Sequence, residues 1–148
     1  MQSQDSRATS QKEFYWLGVR DQSELFGSLR KLLAKANIPP AQIDQLIADV
    51  AATLDDLQSL RRPVRNRMKL IKGTSLSNMY ELRWDFGAPQ NLRHGIRMYF
   101  VEEEKWIIGL RWQVKPLMIP GHVIRELQNI EIGRAENIYL QYRRKGIE

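Results

Sequence analysis

The sequence predicts an α+β fold, in which an antiparallel sheet of about four strands packs on an N-terminal helical hairpin and a helix ends the chain. Three short segments between residues 79 and 115 alternate apolar and polar side chains with a period of two, which is typical of strands with one buried face. Two segments ahead of them carry apolar residues at spacings of three and four, the pattern of amphipathic helices. These helices are expected to cover the apolar side of the sheet.

The three central strands are expected to be antiparallel neighbours, because the turn-rich segment 87–93 and the short segment 102–104 connect them. Their buried side is expected to carry Tyr80, Leu82, Trp84, Phe86, Ile96, Met98, Phe100, Trp106, Ile108, Leu110, Trp112 and Val114. The other side is expected to be open and to carry Arg83, Arg97, Arg111, Gln113 and Lys115. A sheet face in contact with water needs polar residues, but it does not need four cations among them.

The flanking segments complete the predicted fold. Residues 13–19 are rich in aromatic and branched side chains and are expected to form a first strand. Asp21 has the spacing of an N-cap for a helix that ends near Asn37, and Pro40 can begin a second helix. The apolar face of these helices is expected to pack on the sheet, and a groove for a partner is the less favoured alternative. After prolines at 116 and 120, residues 122–129 fit a short helix and residues 134–145 a C-terminal helix.

Length and composition limit the class of protein. The 148 residues are expected to form one domain over residues 12–148, after a polar, disordered tail over residues 1–11. There is no cysteine, which excludes thiolate metal sites and favours a reducing, cytoplasmic location. No apolar segment approaches the roughly 18 residues of a membrane span. The formal net charge of +6 favours a polyanionic partner.

The most basic part of the chain is the segment 61–72, RRPVRNRMKLIK. Its cations are Arg61, Arg62, Arg65, Arg67, Lys69 and Lys72. Six cations without an acid repel one another and gain from a nearby anion, so phosphate contact is favoured over a merely solvated connection.

Several motifs of catalysis and cofactor binding are absent from the sequence. It has no phosphate-binding glycine loop, no histidine and acid spacing typical of a metal site, and no serine nucleophile elbow. No cofactor and no metal ion are therefore predicted. The chain has two histidines, His94 and His122, and each is more simply explained as a surface or structural residue.

Four stretches carry a resemblance to a known family: KLIKGTSLSNMYELRWDF, IRMYFV, IIGLRWQVKP and IGRAENIYLQYRRK. In order and spacing they resemble the RelE/ParE superfamily of bacterial toxins, in particular its HigB-like, phage-derived branch. The resemblance extends over roughly residues 14–145 in the order of elements, and the residues that match the family's motifs lie in the C-terminal half. It implies a RelE-like fold and the toxin of a type II toxin–antitoxin pair, neutralised by a cognate antitoxin, expected to be a small helix-turn-helix protein. Most RelE-like and HigB-like members cleave mRNA in the ribosomal A site without a metal ion.

The resemblance also implies roles for individual residues. In the family reaction the 2′-hydroxyl attacks the adjacent phosphate while cationic side chains neutralise the charge. Arg97 matches the family's phosphate-stabilising arginine, Arg83 matches a basic position that binds the same phosphate or helps to deprotonate the hydroxyl, and Lys115 matches a candidate proton donor. Lys69, Lys72 and Arg111 are expected to bind the phosphate backbone of the RNA. The C-terminal aromatic or histidine role is left open among Tyr139, Tyr142 and His122.

Two other functions remain open at this point. A ParE-like protein would inhibit a topoisomerase without chemistry, and a nontoxic nucleic-acid-binding module would keep the fold without the activity. Arg83 and Arg97 also have a purely structural explanation, which is pairing with Glu81 and Asp85 on the same side of the sheet.

Overall fold

The structure is a computed structural model that describes residues 12–18, 21–59, 67–72 and 74–147. The predicted tail and three predicted RNA-binding residues, Arg61, Arg62 and Arg65, lie outside the described residues. The described elements are β1 (Glu13–Trp16), α1 (Gln22–Lys35), α2 (Pro40–Gln58), β2 (Met68–Leu70), β3 (Met79–Ala88), β4 (Leu92–Glu102), β5 (Trp106–Pro116) and α3 (Gly121–Ile147), with a 3-10 turn at Pro89–Asn91 between β3 and β4.

The sheet has five strands in the order β1-β5-β4-β3-β2. β1 runs parallel to β5, and all other neighbours are antiparallel. The α+β class is confirmed, but the predicted antiparallel sheet of about four strands is wrong in count and in direction. β2 has three residues within a basic segment, so it gives no alternation of apolar and polar residues from which a strand can be predicted.

The two N-terminal helices cover one side of the sheet. The Asp21 side chain caps α1 by accepting a hydrogen bond from the backbone N–H of Glu24 at 2.9 Å, as its position predicts. The chain turns at Asn37, which has a φ of 66°, and α2 begins at Pro40. Leucine and isoleucine side chains of both helices pack with strand residues such as Leu82 in one core.

A β-bulge changes the buried side of β5 halfway along the strand. Tyr99 pairs with Arg111 and Phe100 with Gly109, so Leu110 is the extra residue. Ile108 and Leu110 therefore lie on the side of the sheet away from α1 and α2. The prediction that Trp106, Ile108, Leu110, Trp112 and Val114 share one buried side is wrong for its first three members, because one extra residue reverses the alternation.

α3 lies against this second side of the sheet. Its Ala135 and Tyr139 are fully buried and pack with Tyr99, Val101 and strand residues nearby. The helix is continuous where two shorter helices were expected, because no proline after Pro120 interrupts its backbone hydrogen bonds. Pro120 stands at its start, where its carbonyl accepts from the N–H groups of residues 123 and 124. The predicted open face of the sheet is thus covered in part. Within the described ranges, none of the helices has the length and apolar content that a membrane crossing requires.

Candidate functional site

Charged residues on the α3 side of the sheet occupy three neighbouring rows. Each row takes one residue from β3, β4 and β5, and the rows are Glu81, Tyr99 and Arg111; Arg83, Arg97 and Gln113; and Asp85, Gly95 and Lys115. We call Glu81, Arg83, Asp85, Arg97 and Lys115, together with Gln128 of α3, the charge cluster. The predicted catalytic residues Arg83, Arg97 and Lys115 are brought together here, with the two arginines paired directly across β3 and β4.

Arg97 is buried to 2% exposure between two carboxylates. Its Nη1 atom donates a hydrogen bond to Asp85 Oδ1 at 2.7 Å and another to the Ile96 carbonyl at 3.0 Å. Its Nε atom lies 3.9 Å from Glu81 Oε2. The guanidinium can fold back along β4 because Gly95 has no side chain: a Cβ there would lie 2.6 Å from Nη1. The ion pairs that offered a structural explanation for this arginine are therefore present.

Glu81 is the acidic centre of the cluster and is 1% exposed. Its Oε1 atom accepts a hydrogen bond from Gln128 Nε2. Its Oε2 atom is 3.5 Å from Arg83 Nε and 3.9 Å from Arg97 Nε, and none of these three buried atoms has a hydrogen-bond partner in the described part of the chain. Buried polar groups are nearly always hydrogen-bonded, so these three atoms, which form ion pairs longer than a hydrogen bond, leave hydrogen-bonding positions unfilled at one point of the cluster.

Lys115 is the second buried cation, with 4% exposure. Its ammonium donates a hydrogen bond to Gln128 Oε1 at 3.0 Å. Burial, followed by repulsion from Arg97, lowers the pKa of Lys115 to about 8. An amine with a pKa near the working pH exists in both protonation states, which is the property required of a proton donor or acceptor.

Side chains next to the cluster are held by bonds of their own. The Tyr99 hydroxyl donates to Gln113 Oε1 at 2.6 Å, and burial raises the pKa of Tyr99, so this hydroxyl stays protonated. Arg111, a predicted RNA contact, forms an ion pair with Glu131 of α3, which also holds Arg134 at 2.9 Å. In this conformation Arg111 helps to fix α3 on the sheet.

Three further predicted RNA-binding residues that the structure describes, Arg67, Lys69 and Lys72, lie along the β2 edge. Arg67 pairs with Asp49 at 3.6 Å and donates to the Arg83 carbonyl at 3.4 Å. Lys69 and Lys72 are exposed, and neither has an ion-pair partner within the described ranges. Both line a cleft of about 230 Å³ between β2 and α3. Glu81 and Gln128 also line this cleft, so the exposed lysines lead towards the cluster.

The three C-terminal candidates for an acid or base role lie elsewhere. The Tyr139 hydroxyl donates to the Glu103 carboxylate, and burial together with this bond raises the pKa of Tyr139. Tyr142 packs against the rings of Tyr139 and Tyr15. His122 is exposed at the start of α3. None of these residues has a described contact with the charge cluster.

The sequence does not mark three members of the cluster, Glu81, Asp85 and Gln128, as functional candidates. The alternation of β3 places Glu81 and Asp85 on the correct side, but it predicts them only as partners for the arginines. Gln128 carried no signal, because a single glutamine on a helix is ordinary and its position over the sheet depends on tertiary packing. Among the described residues, no three histidine, aspartate or glutamate side chains come together in a way that could hold a metal ion.

Comparison with known proteins gives no match: no family model, no curated protein and no solved structure is significantly similar to this chain.

Proposed function

We propose that this chain is the toxin of a type II toxin–antitoxin system of the RelE/ParE type, and that it cleaves mRNA on the ribosome without a metal ion. The carrying observation is the convergence of Arg83, Arg97 and Lys115 on neighbouring positions of three strands. These are the residues that the resemblance marks as catalytic. A cytoplasmic location and a helix-turn-helix antitoxin belong to the same proposal.

The proposed reaction moves one proton at each end of the scissile phosphate. The 2′-oxygen forms a bond to phosphorus, the bond from phosphorus to the 5′-oxygen breaks, and a cyclic phosphate results. Arg83 and Arg97 supply fixed positive charge where negative charge accumulates, since guanidinium groups match phosphate oxygens. Lys115 in its charged form donates a proton to the leaving 5′-oxygen.

The acceptor for the 2′-hydroxyl proton is better assigned to Glu81 than to Arg83. An arginine remains protonated in proteins and has no acceptor atom, so Arg83 serves as a phosphate ligand. Glu81 Oε2 is a carboxylate oxygen beside both arginines and has no hydrogen-bond partner among the described residues. It is therefore the proton acceptor in the proposed mechanism.

Arg83 offers the approach to the cluster, because its side chain is 40% exposed while those of Arg97 and Lys115 are enclosed. RNA would meet Arg83 and the lysines of the β2 edge first. Contact with Arg97 and Lys115 requires the side chains that enclose them to move, among them Gln128 of α3, which bonds the Lys115 ammonium.

The burial of Arg97 and Lys115 also fits the ParE-like alternative. If α3 never moves, Arg97 and Lys115 are structural, and the protein acts on a topoisomerase through its surface. The nontoxic nucleic-acid-binding module keeps the basic β2 edge and needs no chemistry at all.

The deciding experiment is induced expression of the wild type and of Arg97→Gln in a bacterial host, with growth followed and transcript 5′ ends mapped. Arg93→Gln is the matched control, since Arg93 is exposed at the start of the same strand. We expect new 5′ ends within translated regions for the wild type and the control, and none for Arg97→Gln. Melting curves of the purified proteins show whether Arg97→Gln is folded.

Each other outcome selects another function. Growth arrest with intact transcripts would support the topoisomerase inhibitor. No arrest by a folded, expressed wild type would support the nontoxic binding module.

A further inference from the structure

Gln128 of α3 joins two buried charges of opposite sign on the sheet. Its Oε1 atom accepts from the Lys115 ammonium at 3.0 Å, and its Nε2 atom donates to the Glu81 carboxylate. The orientation of the amide follows from its partners, because an ammonium only donates and a carboxylate only accepts. A primary amide meets both requirements without adding a charge of its own.

The bridge spans the sheet under α3. Glu81 is on β3 and Lys115 is on β5, so β4 with Arg97 lies between them. No direct ion pair between Glu81 and Lys115 exists within 4.0 Å in the described structure, and the amide provides the connection. The charged groups that act on Lys115 are Glu81, Arg83 and Asp85 of β3 and Arg97 of β4. The cleft that Lys115 lines against α3 also holds Arg111, Glu131 and Arg134.

We propose that Gln128 is a positioning residue of the site, which holds the Lys115 ammonium in place and couples it to Glu81, so that α3 sets how readily Lys115 gives up its proton. The meaning of that proton for RNA cleavage rests on the proposed function. The coupling itself is a property of the folded chain and is measurable without any substrate.

The direction of the coupling follows from the chemistry of the amide. A hydrogen bond to the charged form of a group favours that form, and Gln128 Oε1 bonds the ammonium. Removal of the acceptor takes away one of the interactions that favour the ammonium against burial and Arg97, and only Glu81 and Asp85 then oppose them, so Lys115 loses its proton more easily. A carboxylate in place of the amide adds a negative charge beside Lys115 and holds the proton more tightly.

The test is an NMR titration of the Lys115 side chain in the full chain labelled at lysine, for the wild type, Gln128→Glu and Gln128→Leu. We expect Gln128→Glu to raise the pKa of Lys115 by about one unit or more, as an opposite charge within a few ångströms does. We expect Gln128→Leu to lower it. Asn129→Asp is the matched control: it adds the same charge at the next, exposed position of α3, and it should shift the titration less than Gln128→Glu.

The outcomes separate this inference from the proposed function. An unchanged Lys115 titration in both Gln128 variants, or an equal shift in Asn129→Asp, would overturn the role of Gln128 even if the wild type cleaves RNA. Shifts in the expected directions would support the role of Gln128 even if the wild type cleaves nothing, and only the endonuclease would then be rejected. If the wild type cleaves RNA, the pH at which the cleavage rate falls on the alkaline side should be higher in Gln128→Glu, in line with the raised pKa of Lys115. A merely structural defect would instead lower the rate equally at every pH.

Both variants leave the Glu81 side of the bridge without its donor, and the Glu variant also sets a second carboxylate against Glu81. The Glu variant keeps the size of the side chain, and either variant decides the question alone if its melting curve stays cooperative.

Discussion

At the scale of single residues, Lys115 has the clearest consequence for stability. Its pKa is about 8 in the folded protein, against an ordinary value of 10.5. Between these values the unfolded chain binds more protons than the folded one, so the contribution of Lys115 to stability rises with pH through this window. Below pH 8 the buried ammonium costs the folded state on the order of 3 kcal/mol.

Replacement of Lys115 by methionine, a neutral side chain of similar length, should therefore stabilise the protein at neutral pH. We expect Lys115→Met to raise the free energy of unfolding at pH 7 by about 1 to 3 kcal/mol, and the gain to shrink towards pH 10. Urea denaturation at both pH values measures it, with the exposed Lys105→Met as the control. A Lys115→Met protein less stable than the wild type at pH 7 would show that the ammonium is a net source of stability. A gain in stability combined with loss of toxicity would place Lys115 among groups kept for function.

Gly95 offers a second test of the cluster at this scale. A methyl group there would lie 2.6 Å from Arg97 Nη1 and 2.9 Å from Asp85 Oδ1, so it would displace the ion pair between the buried Arg97 and the exposed Asp85. We expect Gly95→Ala to lower the free energy of unfolding by about 1 to 3 kcal/mol, the usual cost of overpacking. Gly87→Ala is the control on the facing strand, because nothing lies within 4 Å of its Cβ position, and it should change stability by less than about 1 kcal/mol. Equal urea midpoints for the two variants would contradict the folded-back position of Arg97.

At the scale of elements, the sequence predicts what is local. The alternation in β3 and β4 predicts correctly which residues face α1 and α2. Asp21 and Pro40 mark the starts of these two helices. The bulge at Leu110 was not predictable, since one extra residue changes pairing without leaving a mark in composition. The parallel pairing of β1 with β5 likewise depends on tertiary structure, because the residue pattern of a strand does not determine which strand pairs with it.

The same division applies to the candidate site. The period of β3, β4 and β5 placed Arg83, Arg97 and Lys115 on one side, and the structure agrees. Their burial and the bridge through Gln128 depend on where α3 packs, which is a long-range property. The sequence therefore predicts the members of the site better than their environment.

The junction of β1 and β5 gives a prediction at the scale of elements. The Trp16 ring lies over Gly109 and stacks on Trp112 with ring centroids 4.8 Å apart, so a Cβ at Gly109 would overlap the Trp16 ring. We expect Gly109→Ala to displace Trp16 and to loosen β1 selectively, visible as faster amide exchange in β1 than in β3. Gly133→Ala in α3, where nothing lies within 4 Å of the Cβ position, should leave β1 protected. Unchanged exchange in β1 of Gly109→Ala would contradict this account of the edge strand.

At the scale of the whole molecule, the position of the charges matters more than their sum. The net charge of +6 includes Lys31 and Lys35, which are exposed on α1, and Lys69 and Lys72, which lie beside the cleft that leads to the charge cluster. The sheet separates the two pairs, because α1 and α3 cover opposite sides. If the protein binds RNA by the charge cluster, only the pair beside the cleft should contact phosphates.

The salt dependence of RNA binding distinguishes the two pairs. Each phosphate contact on a single strand contributes about 0.7 to the slope of log K against log salt concentration. We expect the double variant Lys69→Gln, Lys72→Gln to reduce that slope by about 1 to 1.5 with a single-stranded RNA oligonucleotide. The double variant Lys31→Gln, Lys35→Gln carries the same change in net charge and should leave the slope unchanged. Equal losses in the two variants would mean that binding follows net charge alone, and the β2 edge would then have no special part in bringing RNA to Arg83.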